Sequence, residues 1–356
     1  MKNLKKLLAN FIFLFFLLIP LSANTRNDDN KSRLDTIEYK IYIAADRVGV
    51  EHFGGEYVYK KKVDEMFSRV NAFWNNGSDQ FKYYFKFIPD VQLIYEGSSK
   101  VVEDFLKNNF YLDCYDVVLT IDSRLDHDDE NAGWYCGSGK QHHGMVACHG
   151  RSKTDFEDIF DKGYRGIAHE LGHYRGVTDL YADRIKKDKN PVNGLQYEPD
   201  SCIMNNHHKT NHWSSYAVNI INYTALSKRP ARDFPGFFKE MFPQNIHVTL
   251  KGKAKNKQGV KLNLYGSRAR YNDLIPIPYK TYETDKKGEY LITGVPNLYD
   301  RPIPPLHTDN LPWNRWFTFV LEAEYKGEKK YVWLPEYEVQ NVFFKNEDTY
   351  YVTIVF

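Results

Sequence analysis

The chain has 356 residues, of which 42% are hydrophobic and 16% aromatic, so it is long enough for two domains with separate cores. Its formal net charge of +2 argues against a nucleic-acid partner, because nucleic-acid binding calls for a strongly basic face. The many tyrosines and phenylalanines favour a structure rich in strands, where aromatic side chains pack well.

Residues 1–23 have the features of a signal peptide: early lysines, an apolar run at 11–21 and small residues before a polar stretch. The apolar run is shorter than the roughly 20 residues that a membrane span needs, so we expect cleavage rather than a membrane anchor. The mature protein is then expected to be secreted or extracytoplasmic, in the periplasm or at the cell surface, with no stable membrane span. Residues 24–36 form a polar N-terminal segment.

Hydrophobic periodicity predicts the elements that follow. We expect a half-buried strand at 37–45, a helix at 57–74, a strand at 81–95 broken by Pro89, a short helix at 101–109 and a buried strand at 115–121. The acidic stretch at 122–131 lacks the ligand spacing of a calcium loop and is interpreted as a solvated loop.

The four cysteines allow three disulfide pairings in an exported protein. We expect at least one disulfide: Cys136 and Cys148 are the local pair, which would leave Cys114 to pair with Cys202. Buried free thiols are the alternative. The nearby histidines at 142, 143 and 149 have no spaced carboxylate partner, so they are interpreted as exposed loop residues rather than as a second metal site.

The pattern at residues 169–179 is typical of a catalytic zinc site. On a helix, His169 and His173 lie one turn apart and face the same side, as two adjacent ligands of a tetrahedral ion must. Glu170 follows the first histidine, where its carboxylate can take a proton from metal-bound water. Gly176 can end the helix in the left-handed conformation, and Asp179 then supplies a third ligand. Three protein ligands leave one position for water, as catalytic zinc requires.

Other residues could supply the third ligand instead of Asp179. Asp183 and the histidine cluster His207, His208 and His212 follow in the chain, the cluster after an irregular loop at 183–200. They lack the fixed spacing after the glycine, and Asp179 is therefore the preferred ligand.

The segment from His169 to Asp179 resembles the extended zinc motif of the metzincin metallopeptidases, in the aspartate variant of the snapalysin-like branch. The turn Ser201-Cys202-Ile203-Met204-Asn205-Asn206 is similar to the metzincin methionine turn. The resemblance implies zinc ligands His169, His173 and Asp179, general base Glu170, and Met204 beneath the metal. It also implies that a strand at 145–149 is the sheet edge that pairs with substrate. Tyr216 is either a core residue or a stabiliser of the oxyanion.

The remaining chain predicts a second, all-β domain. A helix at 213–226 would close the first domain (37–227), and a proline-punctuated linker at 228–244 follows. Seven short strands then suggest a β-sandwich over 245–356, at 246–250, 260–265, 279–284, 290–295, 316–325, 330–334 and 350–356. Residues 284–295 resemble part of the carboxypeptidase-regulatory and transthyretin-like domains. The expected fold class is α+β, a metzincin-like domain with a twisted mixed sheet and an active-site helix followed by the sandwich.

The function that these features predict is an exported, zinc-dependent endopeptidase, whose partner is a protein or peptide substrate. Two alternatives use the same zinc site. One is a surface binding protein with a structural or inactive zinc ion, against which the intact Glu170 argues. The other is a zinc amidase acting on cell-wall or glycan-linked substrates. Association with the cell surface is left open.

Overall fold

The computed structural model describes residues 34–97, 102, 114–123, 136–138, 144–149, 153–227, 237–252, 257–269, 271–299 and 315–356. For 136–138, 144–149, 153–155 and 238 only the backbone is described. The predicted signal peptide, the histidines at 142 and 143, and most of both the helix at 101–109 and the acidic stretch at 122–131 lie outside these residues.

The first half of the chain is built on a five-stranded sheet with the order β2-β1-β3-β5-β4. Its strands are β1 (Thr36–Asp46), β2 (Tyr84–Tyr95), β3 (Val117–Asp122), β4 (Cys136–Ser138) and β5 (Gly144–His149). All neighbours pair in parallel except β4, which runs antiparallel to β5. The side chains of β3 are buried throughout, as the apolar run predicts.

Two predictions about this sheet are wrong. Pro89 does not break β2. Because β2 is an edge strand, the N–H that proline lacks can be on the open side of the sheet, where no neighbouring strand would accept it. Residues 145–149 are not the sheet edge: β5 lies between β3 and β4, and β4 forms the edge among the described strands. A sequence pattern does not show which of two adjacent short strands lies outermost.

Helices cover this sheet. They are α1 (Arg47–His52), α2 (Glu56–Asn76), α3 (Lys153–Asp161), α4 (Tyr164–Tyr174), α5 (Ile203–Asn206) and α6 (Ser215–Thr224), with 3-10 turns at Leu180–Asp183 and Lys187–Lys189. Helix α2 buries Val63, Met66, Phe67, Val70 and Trp74, so its predicted apolar face is the face that packs. The core of this half contains residues of β1, α2, α4 and α6.

The second half contains two further sheets. One has the order β10-β6-β13, and the other the order β12-β11-β7-β8 with β9 also paired to β7. The strands are β6 (Asn245–Lys251), β7 (Lys261–Arg268), β8 (Asp273–Leu274), β9 (Lys280–Glu283), β10 (Glu289–Thr293), β11 (Thr318–Tyr325), β12 (Glu328–Pro335) and β13 (Thr349–Val355). The short helices are α7 (Phe237–Glu240), α8 (Val295–Tyr299) and α9 (Glu336–Gln340), with a 3-10 turn at Phe343–Lys345.

A second hydrophobic core contains residues from both of these sheets, among them Val248 of β6 and Leu321 of β11. Each of the seven predicted strands of this half is present, and β8 is additional. The predicted linker contains α7 in its described part, and there Phe237 and Met241 are buried in the first core.

The two halves pack on each other. Tyr337 of α9 joins the first core, and Ile185 lies in a buried cluster with Leu274 and Val320 of the second half. The chain is therefore a mixed α/β protein with several sheets. This agrees with the predicted class only in that helices and sheets are both present. Among the described helices, none combines the length and the apolar character that a membrane span requires.

Candidate metal centre

Helix α4 carries the two histidines and ends as the glycine predicts. Gly176 has a φ of 92°, its N–H donates to the His173 carbonyl at 2.9 Å, and the Val177 N–H donates to the Gly172 carbonyl at 3.0 Å. These paired bonds form a Schellman motif, which only a residue that tolerates the left-handed conformation can complete without strain. The chain reverses at this point, and Asp179 follows three residues later.

The structure brings His169, His173 and Asp179 together. The Oδ1 atom of Asp179 lies 3.0 Å from Nε2 of His169 and 3.1 Å from Nε2 of His173. The three side chains are largely buried, with 5%, 15% and 11% of their surfaces exposed in the order His169, His173 and Asp179. The spacing of these three residues along the chain therefore brings them into one compact cluster.

Backbone carbonyls fix the orientation of both rings. Nδ1 of His169 lies 3.1 Å from the Ile203 carbonyl, and Nδ1 of His173 lies 2.8 Å from the Val177 carbonyl. A carbonyl oxygen can only accept, so each Nδ1 is the donor. In a neutral ring, Nε2 then carries the lone pair that faces Asp179, as in histidines that bind metal ions.

When both rings are neutral, the two Nε2 atoms and Asp179 Oδ1 therefore face one another with lone pairs, and no hydrogen lies between them. Asp179 Oδ1 is a buried atom without a hydrogen bond of good geometry among the described residues, despite its short distances to the two rings. Such an arrangement is repulsive unless a cation lies between the donors, because buried charge must be compensated. Two imidazole nitrogens and one carboxylate oxygen are a typical donor set for zinc.

The titration of the cluster reflects the same demand for positive charge. Burial by itself lowers the pKa of His173, but the carboxylates of Asp179 and Glu170 outweigh it and raise that pKa to about 9. Burial raises the pKa of Asp179, yet the two imidazoles outweigh it and hold the pKa well below its usual range. Without a metal ion, a proton on His173 supplies the compensating charge.

Glu170 lies beside the two histidines. One of its carboxylate oxygens is within 4.8 Å of a ring nitrogen of each, and the residue is buried. His169, Glu170 and His173 could therefore hold a metal ion. Asp179 Oδ1, at 3.0 and 3.1 Å from the two Nε2 atoms, is a further candidate for the third ligand position.

The turn at residues 201–206 packs against the same helix. Met204 is fully buried, and a Cβ atom added to Gly172 would lie 2.7 Å from its Sδ. The preceding residue, Ile203, offers the carbonyl that accepts from His169. The turn at residues 201–206 therefore packs against α4 and orients one of its histidines.

Of the alternative third ligands, Asp183 and His212 bond to other residues, whereas His207 lies beside the site. Asp183 is fully buried, and its Oδ1 accepts from the Glu336 N–H at 3.1 Å. Nε2 of His212 bonds to the Ser201 carbonyl at 2.8 Å. The His207 ring lies 5.0 Å from that of His169, between centroids, and is beside the site. Burial and the neighbouring His169 lower the pKa of His207 to about 3.

The structure also bears on the alternatives for Tyr216 and for the cysteines. The Tyr216 hydroxyl is buried and donates to Gln340 Oε1 at 2.7 Å, so this tyrosine is a core residue rather than an oxyanion stabiliser. Cys202 is a buried free thiol, so no disulfide joins it to Cys114. Its Sγ instead accepts from the Ser214 N–H at 3.2 Å. Cys136 and Cys148 are register partners of β4 and β5, where only the backbone is described.

Sequence reasoning missed the groups around the ligands. The carbonyls of Ile203 and Val177 carry no side-chain signal, because any residue supplies a carbonyl. Glu336 lies 158 positions from Thr178, whose hydroxyl donates to its Oε1 at 3.3 Å. No local pattern reveals a contact over that separation.

Comparisons with known proteins do not name a family. No family model matches the chain, and no curated protein matches it. Among solved structures, the chain is similar to one described as the structure of a chaperone-substrate complex, with 14% identity and a TM-score of 0.36. That match covers 54% of this chain and 35% of the other.

Proposed function

We propose that the protein is a zinc-dependent endopeptidase of metzincin type, exported from the cell, with a β-sandwich as its second half. The observation that carries the proposal is the convergence of His169 Nε2, His173 Nε2 and Asp179 Oδ1, with both Nδ1 atoms bonded to carbonyls. Further support comes from Glu170 beside the cluster and from Met204 beneath its helix. The core shared by the two C-terminal sheets supports the sandwich.

In this proposal, His169, His173 and Asp179 hold the ion. A bound zinc ion would supply a Lewis acid and lower the pKa of its water to about 7. Glu170 accepts a proton from the attacking water and passes it to the leaving amine, for which its place next to the ligand set is suited. The buried surroundings strengthen each of these electrostatic interactions by keeping bulk water away.

The substrate is proposed to be an extended peptide lying along β4. Helix α4 contacts both β4 and β5, so the edge of the sheet is close to the histidines. An edge strand offers unpaired backbone N–H and C=O groups to which an extended segment can add. This gives residues 136–138 the substrate-binding role that the metzincin resemblance implied for residues 145–149.

The test is Glu170→Gln, which keeps the size of the side chain and removes its basicity. We expect zinc content to remain at one ion per chain, while hydrolysis of casein or gelatin falls by about 10²–10⁴-fold, the usual contribution of a general base. A chelator should abolish the activity of the unmodified protein, and added zinc should restore it.

The matched control is Glu65→Gln, the same change at an exposed position of α2. It should leave both zinc content and hydrolysis unchanged. Full activity of the Glu170 variant would remove Glu170 from the mechanism. Absence of stoichiometric zinc in the unmodified protein would overturn the proposal as a whole.

A further inference from the structure

The segment that carries Asp179 is held at both ends by one distant residue, Glu336. Before the aspartate, the Thr178 hydroxyl donates to Glu336 Oε1 at 3.3 Å. After it, the Glu336 N–H donates to Asp183 Oδ1 at 3.1 Å. Residues 178–183 therefore lie between two contacts to the first residue of α9, which belongs to the C-terminal half.

Glu336 is itself fixed. It is fully buried, and its carboxylate accepts two bonds from the Arg315 guanidinium, from Nη1 to Oε2 and from Nη2 to Oε1 at 3.1 Å. The Glu336 N–H also donates to the Phe317 carbonyl at 2.9 Å. The Arg315 guanidinium lies 3.8 Å above the Phe317 ring. A two-pronged arginine–carboxylate pair of this kind has a fixed geometry, so Glu336 offers a rigid support.

The rest of the segment also rests on the C-terminal half. Ala182 is buried with Ala269 and Phe317, and the Tyr181 carbonyl accepts from Asn272 Nδ2 at 3.1 Å. Further along, the Lys186 N–H donates to the Asn272 carbonyl at 2.9 Å. The chain therefore leaves helix α4 at Gly176 and continues through Asp179 into a stretch that contacts with the C-terminal half hold in place.

We propose that Glu336 is a positioning residue for Asp179, so that the C-terminal half of the chain sets the zinc affinity of a site built in the N-terminal half. The inference rests on the metal site of the proposed function, but not on peptide hydrolysis. A ligand oxygen must lie within about 0.2 Å of its ideal distance, so a small shift of residues 178–183 is enough to weaken binding. Loss of groups that orient metal ligands lowers metal affinity by about 10–100-fold.

The first test is Thr178→Val in the full chain, which removes the hydroxyl and keeps the shape of the side chain. We expect the zinc dissociation constant, measured by competition with a chelator, to rise by roughly tenfold. The visible absorption of the cobalt-substituted protein should change as well, because it reports the geometry of the ligands.

The matched control is Thr318→Val. Thr318 is a fully buried threonine of the C-terminal half whose hydroxyl donates to the Leu334 carbonyl, also at 3.3 Å. This variant should lose similar stability, yet bind zinc within about twofold of the unmodified protein, since the hydrogen bond that it removes is to Leu334 and not to residues 178–183. Equal effects of both variants on zinc affinity, or no effect of either, would overturn the proposal.

A second pair of variants tests the other contact. Thr178 also hydrogen-bonds Tyr216, and changes at Asp183 leave that contact in place. Asp183→Asn keeps the oxygen that accepts from Glu336 and should retain zinc affinity, whereas Asp183→Ala removes it and should weaken binding by roughly tenfold. If the asparagine and alanine variants bind zinc equally, the proposal fails.

These outcomes separate the two proposals. If the unmodified protein binds no zinc, the proposed function and the positioning role fall together. If it binds zinc and the Thr178 and Asp183 variants match it in affinity and spectrum, only the positioning role falls. If it binds zinc but cleaves no peptide, the positioning role stands on the affinity data.

Discussion

At the scale of single residues, the main feature is one carboxylate oxygen that faces two imidazole nitrogens. Asp179 Oδ1 lies about equally far from Nε2 of His169 and His173, and both rings point their N–H groups away from it toward carbonyls. The protein has thereby buried three electron-pair donors and left the positive charge to be supplied by an ion or a proton. The burial of these three donors affects the stability of the fold whether or not the site is catalytic.

We expect the metal-free protein to lose stability as pH rises from about 6.5 to 9. Burial lowers the pKa of His173, but Asp179 and Glu170 raise it from 6.5 to about 9. The folded state therefore binds the proton more tightly than the unfolded chain. That contribution is complete below pH 6.5 and disappears as pH passes through about 9. Urea unfolding in the presence of a chelator measures it.

The variant Asp179→Asn provides the comparison, because it removes the negative charge and keeps the shape. Its free energy of unfolding should fall less over the same pH range. Bound zinc should also remove the decline, since the metal replaces the proton. An identical decline in both proteins would show that the cluster is not its source.

At the scale of elements, α4 and the turn at residues 201–206 pack against each other at Gly172. A Cβ atom at Gly172 would meet Met204 Sδ at 2.7 Å and the Trp213 ring at 3.1 Å. The turn approaches closely enough for the Ile203 carbonyl to bond to His169. The absence of a side chain at position 172 thus allows both the close approach of the turn and the hydrogen bond that orients His169.

We expect Gly172→Ala to lower the free energy of unfolding by about 1–3 kcal/mol, the usual effect of overpacking a core. Zinc binding should weaken too, because the turn that holds His169 is displaced. Thermal unfolding and chelator competition measure the two effects.

A second change checks the cause. In a Met204→Ala background, the added methyl group has room on the methionine side, so Gly172→Ala should cost less than in the unmodified protein. Additive effects of the two substitutions would show that the contact between Gly172 and Met204 is not what limits the packing.

For the molecule as a whole, the contact between the two halves contains two buried carboxyl groups. Asp183 of the first half and Glu336 of the second are both fully buried, and Arg315 pairs with Glu336. Burial and the neighbouring Glu336 carboxylate raise the pKa of Asp183 well above its usual value, with Glu338 adding to the effect and Arg315 opposing it. Ionisation of Asp183 is therefore disfavoured in the folded state.

We expect Asp183→Asn to raise the free energy of unfolding at pH 8 and to have little effect near pH 4. A carboxyl group with a raised pKa in the folded state costs stability above its unfolded pKa of 3.8, because folding must take up a proton. The cost grows as pH rises from there toward the folded pKa. Asparagine has no such cost.

Denaturant unfolding of both proteins at several pH values measures the difference. A benefit that does not depend on pH would argue for better packing by the amide rather than for the removal of a buried acid. A loss of stability at pH 8 would contradict the raised pKa.

The sequence by itself determined much of the local structure, because local structure depends on spacing along the chain. Helix α2, helix α4 and its end at Gly176, and the seven C-terminal strands follow from periodicity and turn residues. The spacing from His169 to Asp179 likewise predicted the residues that meet in the candidate metal centre. A helical turn and a Schellman motif have nearly fixed dimensions, so short-range geometry could be derived.

Only the tertiary structure decided the rest. It made β4 rather than β5 the sheet edge, committed Tyr216 to the contact with Gln340, and left Cys202 as a free thiol. It also joined Thr178 to Glu336 across 158 positions. Each of these outcomes depends on which distant segments compete for the same surface or hydrogen bond. That competition is settled by packing in three dimensions, for which a single sequence carries no local signal.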